Sequence, residues 1–507
     1  MKRDADKLKS DEFDLLVIGG GINGAGIARD ASQRGLKVAL VEKDDFASGT
    51  SGNTTKLIHG GIRYLEQLNF HLVRESLRER SIILKLAPHL VKPLQFIIPV
   101  YKNDPRPLSL IRLGTTLYDF LAGKAKIKPH QILNADQIFK LEDALKGEGL
   151  VGGALYCDAQ VDDVRYCLEN IISAAEYGTT VVNRCGVIGF IKEAGVLMAV
   201  KVYDSIAKET FVIKAKVIVN ATGPWTNYTL KLENPTAEPL IRPTKGIHIV
   251  YPKLMKNNAI VLSAHRDKRV FFIIPWRGMS IIGTTDTDYS GLPDNVSADE
   301  EDISYLLNEA SRVLPNVKFS PTHIIGTYAA LRPLIKEEGK AAWLVSRDHI
   351  IVESGSGLIS VAGGKYTTYR LLSEQVVDRV AKRLFPRMFA CCKTAKVPLP
   401  GADLPIPQAS TLALKFGVEE DVVENLIRIY GSRAVEVLKL TRKEPHLKER
   451  ICPSHLHIKA QVRYAIQDEM ALTLSDIQMR RLQTTLSPCR GLDCKAAILS
   501  CGNLLRD

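Results

Sequence analysis

At 507 residues the chain exceeds what one hydrophobic core can organise, so two or three domains are expected. With 45% apolar and 24% charged residues it has the composition of a soluble globular protein, and no stretch reaches the ~18 apolar residues of a membrane-spanning helix. Its 68 Lys and Arg against 56 Asp and Glu leave a net charge of +12, which suits anionic substrates or anionic lipid headgroups. There is no interleaved basic and aromatic stripe and no nucleic-acid motif, so no nucleic-acid partner is expected. The N-terminus MKRDADKLKSDEFD is charged and lacks the apolar core of a secretory signal, which predicts a cytoplasmic location. Nine cysteines, an odd number scattered along the chain, point to reduced thiols rather than a disulfide framework.

Residues 14–18 (DLLVI) form an apolar run ending in glycines, as a buried parallel strand does. GGGINGAGIARDASQRG follows with helical spacing, and KVALVEKDD closes a strand, helix, strand unit on an acid. TTKLIHGGIRYLE, residues 54–66, then sets a lysine, a histidine, a glycine pair, an arginine and a tyrosine between apolar-patterned segments. FVIKAKVIVNATGPWTN reads as a strand running into Ala-Thr-Gly-Pro, and RVFFIIPWRGMSIIGTTDTDY as two strands joined at Arg277 and Gly278. Helical spacing is scarce in the middle, EDISYLLNEASRVL excepted, and dominates residues 418–439 and 460–483. Between the sheet-rich and helical parts the proline-rich KVPLPGADLPIPQAST sets a domain boundary near residue 395.

Three glycine turns carry the chemistry. Gly19, Gly21 and Gly24 form G-x-G-x-x-G between a strand and a helix: the first permits the tight turn, the second lets backbone approach a pyrophosphate, and the third lets helix and strand pack closely. Glu42 ends the next strand at about the ~20-residue offset of an acid that binds ribose hydroxyls, which argues against a 2′-phosphate and leaves NAD and FAD open. Ala221-Thr222-Gly223 follows a later strand and can bring backbone close to a second stretch of ligand, as an elongated FAD requires. In VAGGKYTTYR, residues 361–370, Gly363 and Gly364 do the same before a helix N-terminus. Three such turns spread along the chain favour one cofactor bound by a discontinuous domain.

Together IGGGINGAGIARDAS, TTKLIHGGIRYLE, VNATGPW, KGIHIV, IPW, IIGTTDTDY, LRPL and GGKYTTYR resemble the FAD-dependent glycerol-3-phosphate dehydrogenases, flavoenzymes that pass electrons to quinone, over nearly the whole chain. The resemblance implies an α/β and α+β fold of the glycine and D-amino-acid oxidase kind. Its Rossmann-type FAD domain would be discontinuous (12–100, 151–245 and 330–390), with an antiparallel-sheet substrate domain (101–150 and 246–329) and a helical C-terminal cap (396–507). It implies that the 54–66 segment lines the flavin and reaches the substrate, with Lys56 and His59 beside the cofactor and Arg63 and Tyr64 facing the active centre. Thr367, in the last glycine turn, joins the cofactor set.

Oxidising a secondary alcohol requires a base for the hydroxyl proton while hydride leaves carbon, and His248 in TKGIHIVYP is the candidate. Lys365 is placed to stabilise the negative charge that reduced flavin gains near N1. A phosphate dianion calls for planar bidentate donors; Arg332 in AALRPL and Arg347 in VSRDH match the family's anion-binding arginines, with Arg63 as a third. The implied reaction is oxidation of sn-glycerol 3-phosphate to dihydroxyacetone phosphate, with quinone as acceptor and the protein held peripherally at the inner face of the cytoplasmic membrane. An oxygen-using oxidase of the same fold and a non-catalytic flavin-binding scaffold are the alternatives, and the oligomeric state is open, a homodimer included.

Segments 108–121 (LSLIRLGTTLYDFL) and 376–389 (VVDRVAKRLFPRMF) are the candidate membrane-surface helices. Two departures from the family stand out. Leu482 follows Arg480 and Arg481 where a threonine is expected, which puts the cap's contacts in question. Cys489 and Cys494, with Cys452 before and Cys501 after, resemble the extension of anaerobic relatives, but Pro453 and Ser454 follow Cys452 where a second upstream cysteine would stand. The aerobic, single-subunit form is therefore expected and, for want of a full ligand set, no metal.

Overall fold

Two sheets organise the chain in a computed structural model that describes residues 1–336, 348–386, 390–403 and 405–505. The first runs in the order His349–Glu353, Leu358–Gly363, Glu209–Asn220, Glu12–Ile18, Val38–Val41 and Thr180–Val182. Its central pairings are parallel, and the hairpin Cys185–Glu193 with Val196–Asp204 extends Glu209–Asn220 antiparallel. The apolar runs explain this arrangement, since parallel strands are covered on both faces. Leu15, Val17 and Leu40 point into one core, shared with helices Ile22–Gln33, Asp163–Glu176 and Tyr369–Leu384. Their neighbours Leu16, Ile18, Ala39 and Val41 point into the other, beneath the hairpin. Each Leu, Ile or Val so buried contributes roughly 1.5–3 kcal/mol.

The second sheet is mostly antiparallel. Its order is Thr287–Asp288, Ile241–Pro252, Met279–Gly283, Val270–Trp276, Ala259–Ser263, Val91–Tyr101, Leu150–Val161 and Leu57–Ile58, with Gly326–Ile335 paired to Ile241–Pro252 and Gln131–Asn134 to Leu150–Val161. Arg277 (φ 46°) and Gly278 (φ 78°) turn the predicted hairpin. Val91–Tyr101, most of Leu150–Val161 and part of Gly326–Ile335 fall within stretches assigned above to the nucleotide-binding domain, yet they pair in this sheet. The chain thus crosses between sheets inside regular strands, where no change of composition marks the seam.

The helices Phe70–Leu86 and Asp163–Glu176 went unread because their buried faces mix charges with apolar residues: Glu79, Arg80, Arg165 and Glu169 are all buried. The expected helix over 418–439 is two, Glu420–Tyr430 and Ala434–Lys443. Gly431 breaks it at φ 58°, where an added Cβ would lie 1.8 Å from the Gly401 carbonyl oxygen. The second expected helix ends at Asp468, and Asp476–Arg481 forms a separate π-helical turn. That turn fastens the cap to the first sheet. Arg481 gives Asp45 two hydrogen bonds at 2.8 and 2.9 Å, and Arg480 gives it a third. Leu482, the departure from threonine, is buried in the cap's own core.

Candidate active site

The glycine turns meet along a groove of about 370 Å³ at the C-terminal edge of the parallel strands. Gly19 stands at φ +112°, and a Cβ there would lie 2.7 Å from the Ala221 carbonyl oxygen; a Cβ on Gly24 would lie 1.9 Å from that of Gly19. Only glycine fits either place, and the backbone so exposed at the start of helix Ile22–Gln33 is a cradle for a pyrophosphate. Glu42 lines the groove and accepts the Gly20 N–H at 2.6 Å and the Asp44 N–H at 2.8 Å, while burial pushes its carboxyl up. Gly21, Ala221, Gly223, Gly363, Gly364, Lys365 and Thr367 complete the wall, with Gly363 at φ +76° and Gly364 at φ +96°. Glycines that no side chain could replace, a carboxylate and a cation along one groove fit a flavin dinucleotide.

The 54–66 segment crosses from this groove to a wider cleft of about 1080 Å³; Thr55, Leu57, His59 and Arg332 line both. The His59 N–H is 3.3 Å from the Thr367 hydroxyl. Tyr64 lines the groove, and the Lys365 ammonium lies 3.9 Å from the centre of its ring. Arg63 lines the cleft and donates to the Tyr64 hydroxyl at 3.1 Å. Lys56 departs from the expectation. It lines neither cavity: its side chain is buried and its Nζ is held 2.6 Å from Asp163, over the rings of Trp276 and Tyr328. Burying an ammonium requires a carboxylate, and Asp163 claims it.

His248 lies in the Ile241–Pro252 strand, buried where the cavities meet. Its ring stacks on Tyr328 with centroids 4.7 Å apart, and a Cβ on Gly283 would lie 2.3 Å from it. Nε2 is 3.0 Å from the Thr55 hydroxyl, while Nδ1 has no hydrogen-bond partner among the described residues. Burial, then the charges of Arg332 and Lys56, holds the imidazole well below its ordinary 6.5, so it is neutral at pH 7. Arg332 donates to Asp286 at 3.0 Å and to the Thr284 hydroxyl and Thr285 carbonyl at 2.9 Å each, three N–H bonds among the described residues. Burial, with Arg63 and Arg269 nearby, pulls its guanidinium below the ordinary value in spite of Asp286. Among the described residues Arg332 and Arg63 thus share one carboxylate, Asp286, while Arg269 has its own in Asp267. Arg347 lies outside the described residues.

A family profile described as FAD dependent oxidoreductase matches residues 14–370, and one described as the C-terminal domain of alpha-glycerophosphate oxidase matches 392–501. A glycerol-3-phosphate dehydrogenase of Synechocystis is 42% identical over 94% of this chain and 90% of its own, and an aerobic glycerol-3-phosphate dehydrogenase of Staphylococcus aureus 36% over 94% and 87%. The chain belongs to the FAD-dependent glycerol-3-phosphate dehydrogenases. Within that family, the structure of the Bacillus halodurans glycerol-3-phosphate dehydrogenase complexed with FAD superimposes with a TM-score of 0.78 at 30% identity, covering 97% of this chain and 89% of that one. A glycine oxidase of Bacillus cereus, at a TM-score of 0.56 and 20% identity over 73% of this chain and 95% of that one, shares the fold.

Some of what builds this dehydrogenase-family site escaped the sequence reading. Thr55 and Asp286 stand inside quoted motifs and were passed over; a hydroxyl beside the key histidine and a carboxylate beside the key arginine become evident only when loops and strands far apart in sequence are brought together. Asp163 sits 107 residues from Lys56, and no local pattern announces it.

Proposed function

We propose that the chain oxidises sn-glycerol 3-phosphate to dihydroxyacetone phosphate with FAD in the groove and passes the electrons to a membrane quinone. The observation that carries this reading is the placement of two arginines, Arg332 and Arg63, beside a buried neutral histidine where the nucleotide groove meets the cleft. A singly charged carboxylate would need one arginine, whereas a phosphate dianion suits two. Gly19, Gly21 and Gly24 would hold the pyrophosphate, Glu42 the ribose, and Lys365 the charge of the reduced ring. Bound FAD supplies the hydride acceptor. Arg332 and Arg63 grip the phosphate, so that the carbinol carbon gives up hydride while its hydroxyl proton passes to His248 Nε2 on the Thr55 side, leaving the ketone. The apolar ring of Tyr328 against the imidazole keeps the base neutral and water away from it.

The acceptor belongs to the same reading. No helix of the described residues is long and apolar enough to cross a membrane. Helix Leu108–Ala122 lines the cleft with Leu110 and Leu113 and leaves Leu113 64% and Phe120 79% exposed, beside Leu68 at 72%. That apolar rim supports surface docking at the inner face of the cytoplasmic membrane, with the cleft open to a lipid-soluble acceptor. The other candidate, 376–389, packs Val376, Val377 and Val380 into the first core, and its residues 387–389 lie outside those described. The match of the cap to an oxidase domain keeps molecular oxygen as the second reading. Turnover with a short-chain quinone under air separates them: quinol forming without equivalent peroxide supports the quinone, and stoichiometric peroxide supports the oxidase.

A further inference from the structure

The far end of the cap gathers four metal-ligating side chains that the redox site does not use. Cys452, His455, Cys489 and Cys494 bring one ligand atom each to within 4.8 Å of one another. His455 Nε2 is 3.1 Å from Cys489 Sγ, and the three cysteines are buried and free. We propose that these four residues form a mononuclear tetrahedral zinc site, ligated by three thiolates and one imidazole.

The geometry points to one ion. Bonds of about 2.3 Å to sulfur and 2.0–2.1 Å to nitrogen put tetrahedral ligand atoms roughly 3.5–3.8 Å apart, so a group already gathered within 4.8 Å needs only a small contraction. A two-iron cluster would hold its ligands as two pairs, one on each iron, and would spread the set more widely than a single ion does. The ligands arrive on two short loops with zinc-site spacing, Cys-x2-His and Cys-x4-Cys. The His455 N–H donates to the Cys452 carbonyl at 3.3 Å, and the Leu492 N–H to the Cys489 carbonyl at 2.9 Å. Arg490 at φ 51° and Gly491 at φ 76° turn the second loop back on itself. The cysteines near Cys489 do not complete a ligand set by themselves; the histidine three residues after Cys452 supplies the fourth ligand. Cys501 is buried in the same core but stands apart, with its thiol on the Ala497 carbonyl.

The site has structural work to do. This end of the cap is short of regular structure, with a π-helical turn at Asp476–Arg481 and a last helix of Lys495–Leu499. An ion joining residues 452–455 to 489–494 would staple that region as structural zinc staples small domains. The Gln478 amide reaches the Gly491 carbonyl at 2.5 Å, so the second ligand loop is tied to the same turn that presents Arg480 and Arg481 to Asp45. The ion would thereby hold the seam between cap and nucleotide-binding sheet. Binding displaces three thiol protons and transfers no electrons.

Full-length protein, purified under reducing conditions without chelator and offered zinc, should hold about one zinc per chain by elemental analysis, with no stoichiometric iron or acid-labile sulfide. The cobalt(II) form should show the intense bands of tetrahedral thiolate-bound cobalt at wavelengths beyond flavin absorption. Cys489→Ser and Cys494→Ser should lose the zinc, Cys501→Ala should keep it, and His455→Cys should keep it in an all-sulfur site. If the serine variants do not fold, mercurial titration of the unaltered protein should release the zinc to an indicator dye as the thiols react. Protein that takes up no zinc, that carries iron and sulfide instead, or that keeps its zinc after Cys489→Ser would overturn the assignment.

Discussion

Two arginine–carboxylate clusters show how the same side chains serve different ends. At the cap seam, Asp45 meets Arg480 and Arg481, and both carboxylate oxygens are occupied; the two guanidiniums outweigh burial and hold the carboxyl down at about 2. At the cleft, Arg269 is paired with Asp267, while among the described residues Arg332 and Arg63 share the single carboxylate of Asp286, and burial with this neighbouring positive charge pulls the Arg332 guanidinium below its ordinary value. The seam is finished by its own partners. The cleft sets two arginines against one carboxylate among the described residues, which suits an anionic guest.

The contrast predicts where damage falls. Arg481→Ala should cost about 3–5 kcal/mol of stability, because it strips a buried carboxylate of two hydrogen bonds, while leaving the flavin spectrum of the folded fraction unchanged; thermal and denaturant unfolding read it. Arg332→Ala should leave the fold intact and lower kcat/KM by about 2–5 kcal/mol, chiefly through KM, in steady-state kinetics. A matching loss of stability would mean the cleft arginine is structural after all.

His248→Asn should lower kcat by about 10²–10⁴. Because the folded pKa lies well below 6.5, the acid limb of kcat/KM in the unaltered enzyme should fall below pH 6.5, and a limb centred near 6.5 would remove His248 as the base. The seam titrates in a different window. Asp45 is depressed from 3.8 to about 2, so its stabilising share of about 2 kcal/mol is present above pH 3.8 and lost as pH falls toward 2; Asp45→Asn should flatten that part of the stability profile. The smallest effect belongs to the exposed pair of Arg450 with Glu419, where Arg450→Ala should change stability by less than about 1 kcal/mol.

What was legible in the sequence follows from range. The glycine turns could be read because a tight turn is a local demand: nothing but glycine fits at Gly19 or Gly24, and the flanking strand and helix stand beside them. Arg332 and His248 could be singled out as residue types suited to the chemistry, but not their partners, since Asp286 and Thr55 come from loops distant in sequence. Lys56 was misread for the same reason, its fate being set by Asp163. In the cap the helical period was visible, but Gly431 and the π-helical turn at Asp476–Arg481 broke the expected helices where packing between distant segments outweighs propensity. The hold of Arg481 on Asp45 spans 436 residues and leaves no trace in either neighbourhood.

Anaerobic titration of the purified protein with sn-glycerol 3-phosphate, followed by flavin absorbance, tests the central claim most directly. The oxidised flavin band should bleach in proportion to added substrate and stay unchanged with glycerol, which lacks the phosphate that Arg332 and Arg63 would hold. A bound flavin that keeps its colour with glycerol 3-phosphate, or that bleaches equally with glycerol, would contradict the account.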